Sequence, residues 1–322
     1  MKKNIVYKMV TDKVVAGLKK EGLQWFKPWS HNGKCVSPIS YTSKKEYNGI
    51  NRLFLSFAMR ENGWIRPEFI TFNQAKALGG SFFTAAEMEA KALGGTIIKG
   101  SKSQEVVYYT VCFIVKDKFY KTEKALNLAG YRKGQAGVTD IWTPKYFRVF
   151  NIEQVEDIKP LESVVIEEAT EESVFNPLPN ADSVYDNYKN SPTLAHGGGQ
   201  AYYRPSNDWV QMPKQTTFVD GDSYYKTLFH ELIHSTGHEG RLKRAGIMEV
   251  NRFGSKEYSK EELVAEIGSM MLVAITGLEP KDSDENSQAY INGWCKKLTE
   301  NEQWVLFASS QAEKSVKHIL NR

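Results

Sequence analysis

Apolar positions along the chain follow two different periods. Near the start, Ile5, Met9, Val10 and Val14 fall on one side of a helix. A continuous apolar run at 53–59, leading into a turn at Gly63, predicts a buried helix. Residues 105–116 are β-branched and aromatic and predict a buried strand, and the alternating segment 145–150 predicts its partner. The polar, lysine-rich stretch 117–140 between them predicts a hairpin tip or a mobile loop. Further along, 200–204 and 209–212 read as short strands around a turn at Pro205-Ser206-Asn207. Helices follow over 222–235 and 259–275, with a third helical stretch at 299–320. The pattern predicts an α+β chain with a mixed front half and a mostly helical back half carrying a small β-sheet.

A local repeat interrupts the front half. Ala75-Lys76-Ala77-Leu78-Gly79-Gly80 recurs as Ala90-Lys91-Ala92-Leu93-Gly94-Gly95. Two copies cannot build a solenoid, so a tandem duplication inside one domain is the simpler account.

Charge divides the 322 residues further. The formal net charge is only +4, yet residues 1–152 hold 25 Lys and Arg against 11 Asp and Glu, a net +14. The remaining residues carry −10, of which −7 falls in 153–172. This acidic stretch, closed by Asn176-Pro177, reads as a solvated linker. The expected organisation is a basic domain at 1–152, a linker at 153–175 and a second domain at 176–322. No apolar run is long enough to span a membrane. Cys35, Cys112 and Cys295 are odd in number and far apart, and the basic N-terminus lacks the pattern of a secretory signal. These features point to a reducing cytoplasm.

The strongest chemical signal is His230-Glu231-Leu232-Ile233-His234. On a helix, positions i and i+4 share a face, so both imidazoles reach one Zn²⁺. Glu231 is placed to act as general base toward a water at that ion. Asp222 or Ser223 is the expected N-cap and Gly237 the helix stop. The alternative is two surface histidines four residues apart. A third ligand is needed. Gly240 stands where a longer zinc motif would place a histidine, and His238 lies beyond the glycine, suited to a capping role. The downstream segment 258–269 offers Glu262 and Glu266. Ser259 and Glu262 have capping-box spacing, giving Glu262 a structural task. Glu266 sits among Leu263, Val264, Ile267, Met270 and Met271, where a carboxylate needs a strong partner. Zinc is the expected partner, with Arg241 or Arg244 as the alternative. Ala265 and Gly268 allow the two helices a close approach. Two histidines and one glutamate leave a coordination position open, which marks a catalytic hydrolytic centre. His196, Tyr202, Tyr203 and Tyr225 are the candidates for stabilising an oxyanion.

In the basic half, Trp25, Phe26, Trp29, Tyr41, Tyr47, Trp64, Tyr108, Tyr109, Trp142, Tyr146 and Phe147 alternate with Lys27, Lys44, Lys45, Arg52, Arg66, Lys99, Lys102, Lys145 and Arg148, core packing being the alternative for any single aromatic. Stacking surfaces beside cations suit single-stranded nucleic acid held without sequence preference. No duplex-reading motif appears.

Together these residues resemble ArdC-type antirestriction proteins. In the front half the resemblance rests on Tyr47-Asn48-Gly49-Ile50-Asn51, Gly63-Trp64 with Pro67, Thr71-Phe72-Asn73-Gln74-Ala75, Gly94-Gly95, Lys99-Gly100-Ser101-Lys102, and Val149-Phe150-Asn151 with Gln154. In the back half it rests on Ala201-Tyr202-Tyr203, Asp208, Met212-Pro213, the segment 230–238, Arg241-Leu242 and the segment 258–269. Two Gly-Gly turns stand where the family has one, and Ser103 stands where its lysine-glycine turn ends in glycine. The resemblance implies an N-terminal single-stranded-DNA-binding domain followed by a zincin-like metallopeptidase domain, carried by a plasmid or other mobile element. It implies protection of incoming DNA against restriction. The residues expected to contact DNA, in or beside these motifs, are Tyr47, Asn51, Arg52, Trp64, Lys99 and Lys102. The expected metal ligands are His230, His234 and Glu266, with Glu231 catalytic. The alternative is a non-catalytic DNA-binding protection protein with a structural or vestigial zinc site.

Overall fold

The computed structural model describes residues 5–26, 30–31, 34–78, 101–156, 158–161, 177–248, 256–279 and 284–322. Most of the acidic segment, the Gly-Gly pair of the first repeat copy and the whole second copy lie outside these residues.

Helix α1 (Ile5–Glu21) buries Val6, Val10, Val14 and Leu18, a stripe with one residue per turn. Ile5, expected on that stripe, points to solvent. The chain then turns so that Trp25 and Phe26 are almost fully buried. Gly17 makes this possible, because a Cβ there would lie 2.0 Å from the Trp25 indole. Helix α2 (Ile50–Asn62) packs Leu53, Phe54, Leu55 and Met59 inward and ends at Gly63, whose φ of 67° suits a left-handed cap.

The front half is completed by a five-stranded sheet. Its strands are β1 (Ile39–Ser40), β2 (Glu68–Ile70), β3 (Gln104–Val115), β4 (Lys118–Tyr120) and β5 (Thr139–Asn151). Their spatial order is β1-β2-β5-β3-β4. Strands β3 and β5 form a long antiparallel ribbon, in register from Gln104 opposite Val149 to Ile114 opposite Thr139. Helix α3 (Phe72–Ala77) starts on a Thr71–Gln74 capping box. The stretch expected as a loop tip is ordered instead. Strand β4 and helix α4 (Glu123–Leu128) fold over Phe113, Val115 and Leu126, with Tyr120, Tyr131 and Val138 packed against them.

The back half contains helix α5 (Pro177–Asp186) and a three-stranded sheet of β6 (Thr193–His196), β7 (Tyr202–Arg204) and β8 (Trp209–Met212). Strand β8 is central, parallel to β6 and antiparallel to β7, which leaves β7 at an edge. Helices α6 (Gly221–Ser235), α7 (Lys256–Thr276), α8 (Asp284–Glu300) and α9 (Trp304–Ile319) follow. The helical stretch expected at 299–320 is α9, and α8 before it was not expected. Among the described residues, no helix is long and apolar enough to cross a membrane.

The two modules share one apolar core. Val6, Val14, Trp25 and Phe54 belong to the same buried cluster as Phe229, Met270, Trp294 and Val305. Polar contacts cross the same boundary. Arg52 pairs with Glu313 at 3.2 Å in a buried setting, and Lys317 Nζ donates to Asn48 Oδ1 at 2.6 Å. Removing one partner of a buried pair strands the other charge. Glu313→Ala is therefore expected to cost about 3–5 kcal/mol of stability, measured by chemical denaturation of the whole chain. A change under about 1 kcal/mol would mean the contact does not hold the halves together.

Candidate metal centre

Helix α6 begins at Asp220, whose side chain accepts from the Ser223 amide at 2.7 Å. The cap therefore lies two or three residues before the expected positions. Leu228, Phe229, Leu232 and Ile233 face the core, which turns His230, Glu231 and His234 toward a cavity of about 500 Å³. Helix α7 crosses α6 closely. A Cβ on Gly268 would lie 2.7 Å from Ile233 Cδ1, so glycine at 268 sets the spacing.

Close packing brings Glu262 to the histidines. The Nε2 atoms of His230 and His234 are 3.1 Å apart. Glu262 places Oε2 3.4 Å from His230 Nε2 and Oε1 3.5 Å from His234 Nε2. Tetrahedral ligands at about 2.0–2.1 Å from a zinc ion are separated by about 3.3–3.4 Å. The three side chains thus have the spacing of ligands around one small cation. Among the described residues they form the single cluster of three metal-capable groups, with all ligand atoms within 4.8 Å of one another.

Glu266, expected as the third ligand, is not brought to the two Nε2 atoms. Its Oε1 lies 3.9 Å from Nδ1 of His230, the ring nitrogen away from the cluster, and it accepts a hydrogen bond from the Tyr290 hydroxyl. The capping-box reading fails because α7 starts at Lys256, three residues before Ser259. Glu262 consequently lies in the second turn, facing α6. Neither arginine pairs with Glu266. Arg241 binds Asp208, and Arg244 binds Glu261.

Electrostatics at the cluster favour a cation. Burial works against charge on Glu262, but the two imidazoles outweigh it and hold its carboxyl far below the usual range. Burial would likewise lower His234, yet Glu261 and Glu262 raise it to about 10. Glu261 falls to about 2, its burial being overcome by His234 and Arg244. Two residues the sequence reading did not single out complete the surroundings. Tyr258 lines the cavity one turn before Glu262, and Glu261 approaches His234 Nδ1 at 3.4 Å. The i, i+4 spacing of Tyr258 and Glu262 was the available signal for the first.

Most of the proposed oxyanion candidates have their polar atoms tied to neighbours. His196 Nε2 bonds the Tyr224 hydroxyl at 2.8 Å, Tyr203 donates to Asp208 at 2.9 Å, and Tyr225 donates to Asp182. Tyr202 and Tyr203 line the cavity. His238 accepts from the Gly240 amide at 3.2 Å, a local turn contact outside the cluster.

The front-half candidates divide differently. Asn51 binds β3, donating to the Val107 carbonyl at 2.7 Å and accepting from its amide at 2.6 Å. Arg52 is buried against Glu313, Trp64 is buried beside Phe69, and half-buried Tyr47 packs edge-on against the same ring. All four side chains make contacts within the protein. Lys102 is exposed, while Lys99 lies outside the described residues. Exposed aromatics gather instead on the β3–β5 ribbon. Tyr108, Tyr109, Trp142, Tyr146 and Phe147 are all solvent-accessible, and the Tyr108 and Phe147 rings lie 5.5 Å apart. Lys145 stands directly opposite Tyr108.

Comparison with known proteins supports the two-part layout. Residues 4–150 match the model for the N-terminal domain of anti-restriction factor ArdC, and residues 179–311 match a zincin-like metallopeptidase model. The chain belongs to the ArdC-type family. The ArdC-type fold extends over almost its whole length. Crystal structures of the antirestriction ArdC protein from plasmid R388 superpose on 98% of this chain. The metal-free structure gives a TM-score of 0.63 at 26% identity over 96% of that chain. The Mn(II)-bound structure gives 0.64 at 28% identity over 97%. An uncharacterized protein of Sinorhizobium fredii, y4eC, is 29% identical over 96% of this chain and 89% of its own length. Two DNA primases TraC of Escherichia coli are each 30% identical over 98% of this chain, but the match spans only 20% and 27% of their lengths.

Proposed function

We propose that this ArdC-type chain is an antirestriction protein that binds single-stranded DNA and hydrolyses a peptide bond at a zinc centre held by His230, His234 and Glu262. The observation that carries the metal reading is that two Nε2 atoms 3.1 Å apart each face one oxygen of the same carboxylate, at 3.4 and 3.5 Å. Three protein ligands beside an open cavity suit a catalytic centre, because structural zinc sites close with four. A divalent cation there supplies Lewis acidity toward a substrate carbonyl and the attacking water. Glu231 removes the proton from that water and returns it to the leaving amine. Tyr202, Tyr203 and Tyr258 are the tyrosines at the cavity, placed to orient the substrate. Strand β7 has a free edge beside the same cavity, where an extended peptide can pair by backbone hydrogen bonds. Manganese in the R388 relative supports a divalent ion; the nitrogen-rich ligand set favours zinc.

For nucleic acid, the β3–β5 ribbon offers exposed aromatics beside cations on both faces, Tyr108 and Phe147 with Lys145 on one and Tyr109, Trp142 and Tyr146 with Arg148 on the other, and this chemistry fits a single strand. Trp142, 62% exposed, is its most accessible ring. Trp142→Ala is expected to weaken binding of an unstructured oligonucleotide by about 1–3 kcal/mol, with little effect on folding. Fluorescence anisotropy at two salt concentrations checks this. Unchanged affinity would move the DNA site elsewhere. Because the modules share a core, zinc titration and oligonucleotide binding belong on the full chain. Wild type is expected to take up one zinc per chain and His230→Ala none; equal uptake by both would refute the metal assignment.

A further inference from the structure

The metal reading does not use the most heavily committed cation in the back half. Arg244 is buried, and its donors reach three helices. Nε donates to both Glu261 oxygens at 3.2 and 3.0 Å, and Nη2 donates to the same carboxylate. Nη1 donates to Thr236 Oγ1 at 2.6 Å and to Ser315 Oγ of α9 at 2.9 Å. Nη2 also meets the Ile233 carbonyl at 2.8 Å, at the C-terminal end of α6. Glycines make room for this arrangement. A Cβ on Gly237 would fall 2.5 Å from Ile247 and 3.2 Å from Arg244 Nη2, and one on Gly246 would fall 2.9 Å from the Cβ of Glu261.

A buried ion pair is weak evidence of a stabilising device, since an apolar pair often serves as well. The second partner of Glu261 suggests a different task. That partner is Nδ1 of His234, 3.4 Å away, on the opposite side of the ring from the Nε2 that faces His230 and Glu262. An ionised carboxylate only accepts hydrogen bonds. Once Nε2 is given to a cation, its imidazole neighbour therefore keeps its one remaining proton on Nδ1.

We propose that Arg244 and Glu261 are positioning residues for the metal centre, holding His234 with its proton on Nδ1 and its Nε2 lone pair free for the cation. The inference rests on the metal reading above. The fork of Arg244 prevents the Glu261 carboxylate from rotating, while its bond to the Ile233 carbonyl ties that carboxylate to the helix end that carries His234. One buried cation thus references the ring's hydrogen-bond partner and its backbone to the same point. His230 has a looser counterpart. Glu266 is 3.9 Å from its Nδ1, beyond hydrogen-bond distance. The two ligands are therefore controlled unequally, and loss at Glu261 outweighs loss at Glu266.

The test uses the full-length protein and zinc alone. Nitrogen-15 NMR of the zinc-loaded wild type is expected to show His234 protonated at Nδ1. A proton on Nε2 overturns the proposal whatever the variants do. Calorimetric titration is expected to show Glu261→Gln weakening zinc binding roughly 10–100-fold, with Arg244→Lys losing affinity in the same direction. Glu261→Asp should recover part of what Glu261→Ala loses. A purely structural pair would lower the melting temperature yet leave zinc affinity and the His234 tautomer of the folded variants unchanged, and that result overturns the proposal. Failure of the metal reading is distinguishable, because wild type itself would then take up no zinc.

Discussion

Glu262→Ala is expected to weaken zinc binding by more than about 100-fold, exceeding what loss of a partner behind a ligand usually costs. Glu266→Ala should change it by less than about tenfold. The contrast follows from how α7 packs on α6. That packing turns Glu262 into the gap between two imidazoles, while Glu266, one turn later, meets Tyr290 and the far side of His230. Both residues are carboxylates on one helix face, so composition and helix propensity change alike in the two variants. Calorimetric titration of apoprotein with zinc separates them. Loss of binding on removing Glu266, with retention on removing Glu262, would reverse the assignment.

The other large effect concerns chemistry rather than affinity. Glu231 is buried at the cavity next to the first histidine and is absent from the three-atom ligand cluster. Glu231→Gln preserves shape and removes the base. Hydrolysis of a quenched-fluorescent peptide library is expected to fall by about 10²–10⁴-fold, while zinc uptake and oligonucleotide binding stay at wild-type levels. Equal cleavage by the variant would exclude Glu231 as the base.

Much of this centre is legible in the sequence. The spacing of His230 and His234 on an apolar-faced helix dictates a shared ligand face before any tertiary information is used. Gly268 marks the helix crossing for the same local reason. The third ligand was not legible, because two glutamates one turn apart are equivalent in a linear pattern. What distinguishes them is the rotation of α7 about its axis, set by packing against α6. The Ser259–Glu262 spacing imitated a helix start inside a helix already under way. Arg244 and Glu261 were hidden similarly, since their pairing spans 17 residues and depends on the turn after α6.

The front half followed the same logic. The strand pattern yielded the β3–β5 ribbon, with β3 within one residue of its predicted segment and β5 starting well before its own. Motif residues Asn51, Arg52 and Trp64 read as nucleic-acid contacts, yet each is used inward. Asn51 holds the backbone of β3, Arg52 reaches α9, and Trp64 packs on Phe69. A polar or aromatic residue in a short motif does not declare which way it points. The shared core was equally hidden, because the charge division of the sequence marks surfaces and says little about what the modules bury between them.

The central claim is that one small cation is held by His230, His234 and Glu262. Anomalous diffraction at the zinc edge from crystals of the full chain grown with zinc tests it most directly. The account predicts one strong peak at about 2.0–2.2 Å from both Nε2 atoms and a Glu262 oxygen. A peak coordinated by Glu266 instead, or no peak at the histidine pair, would contradict it.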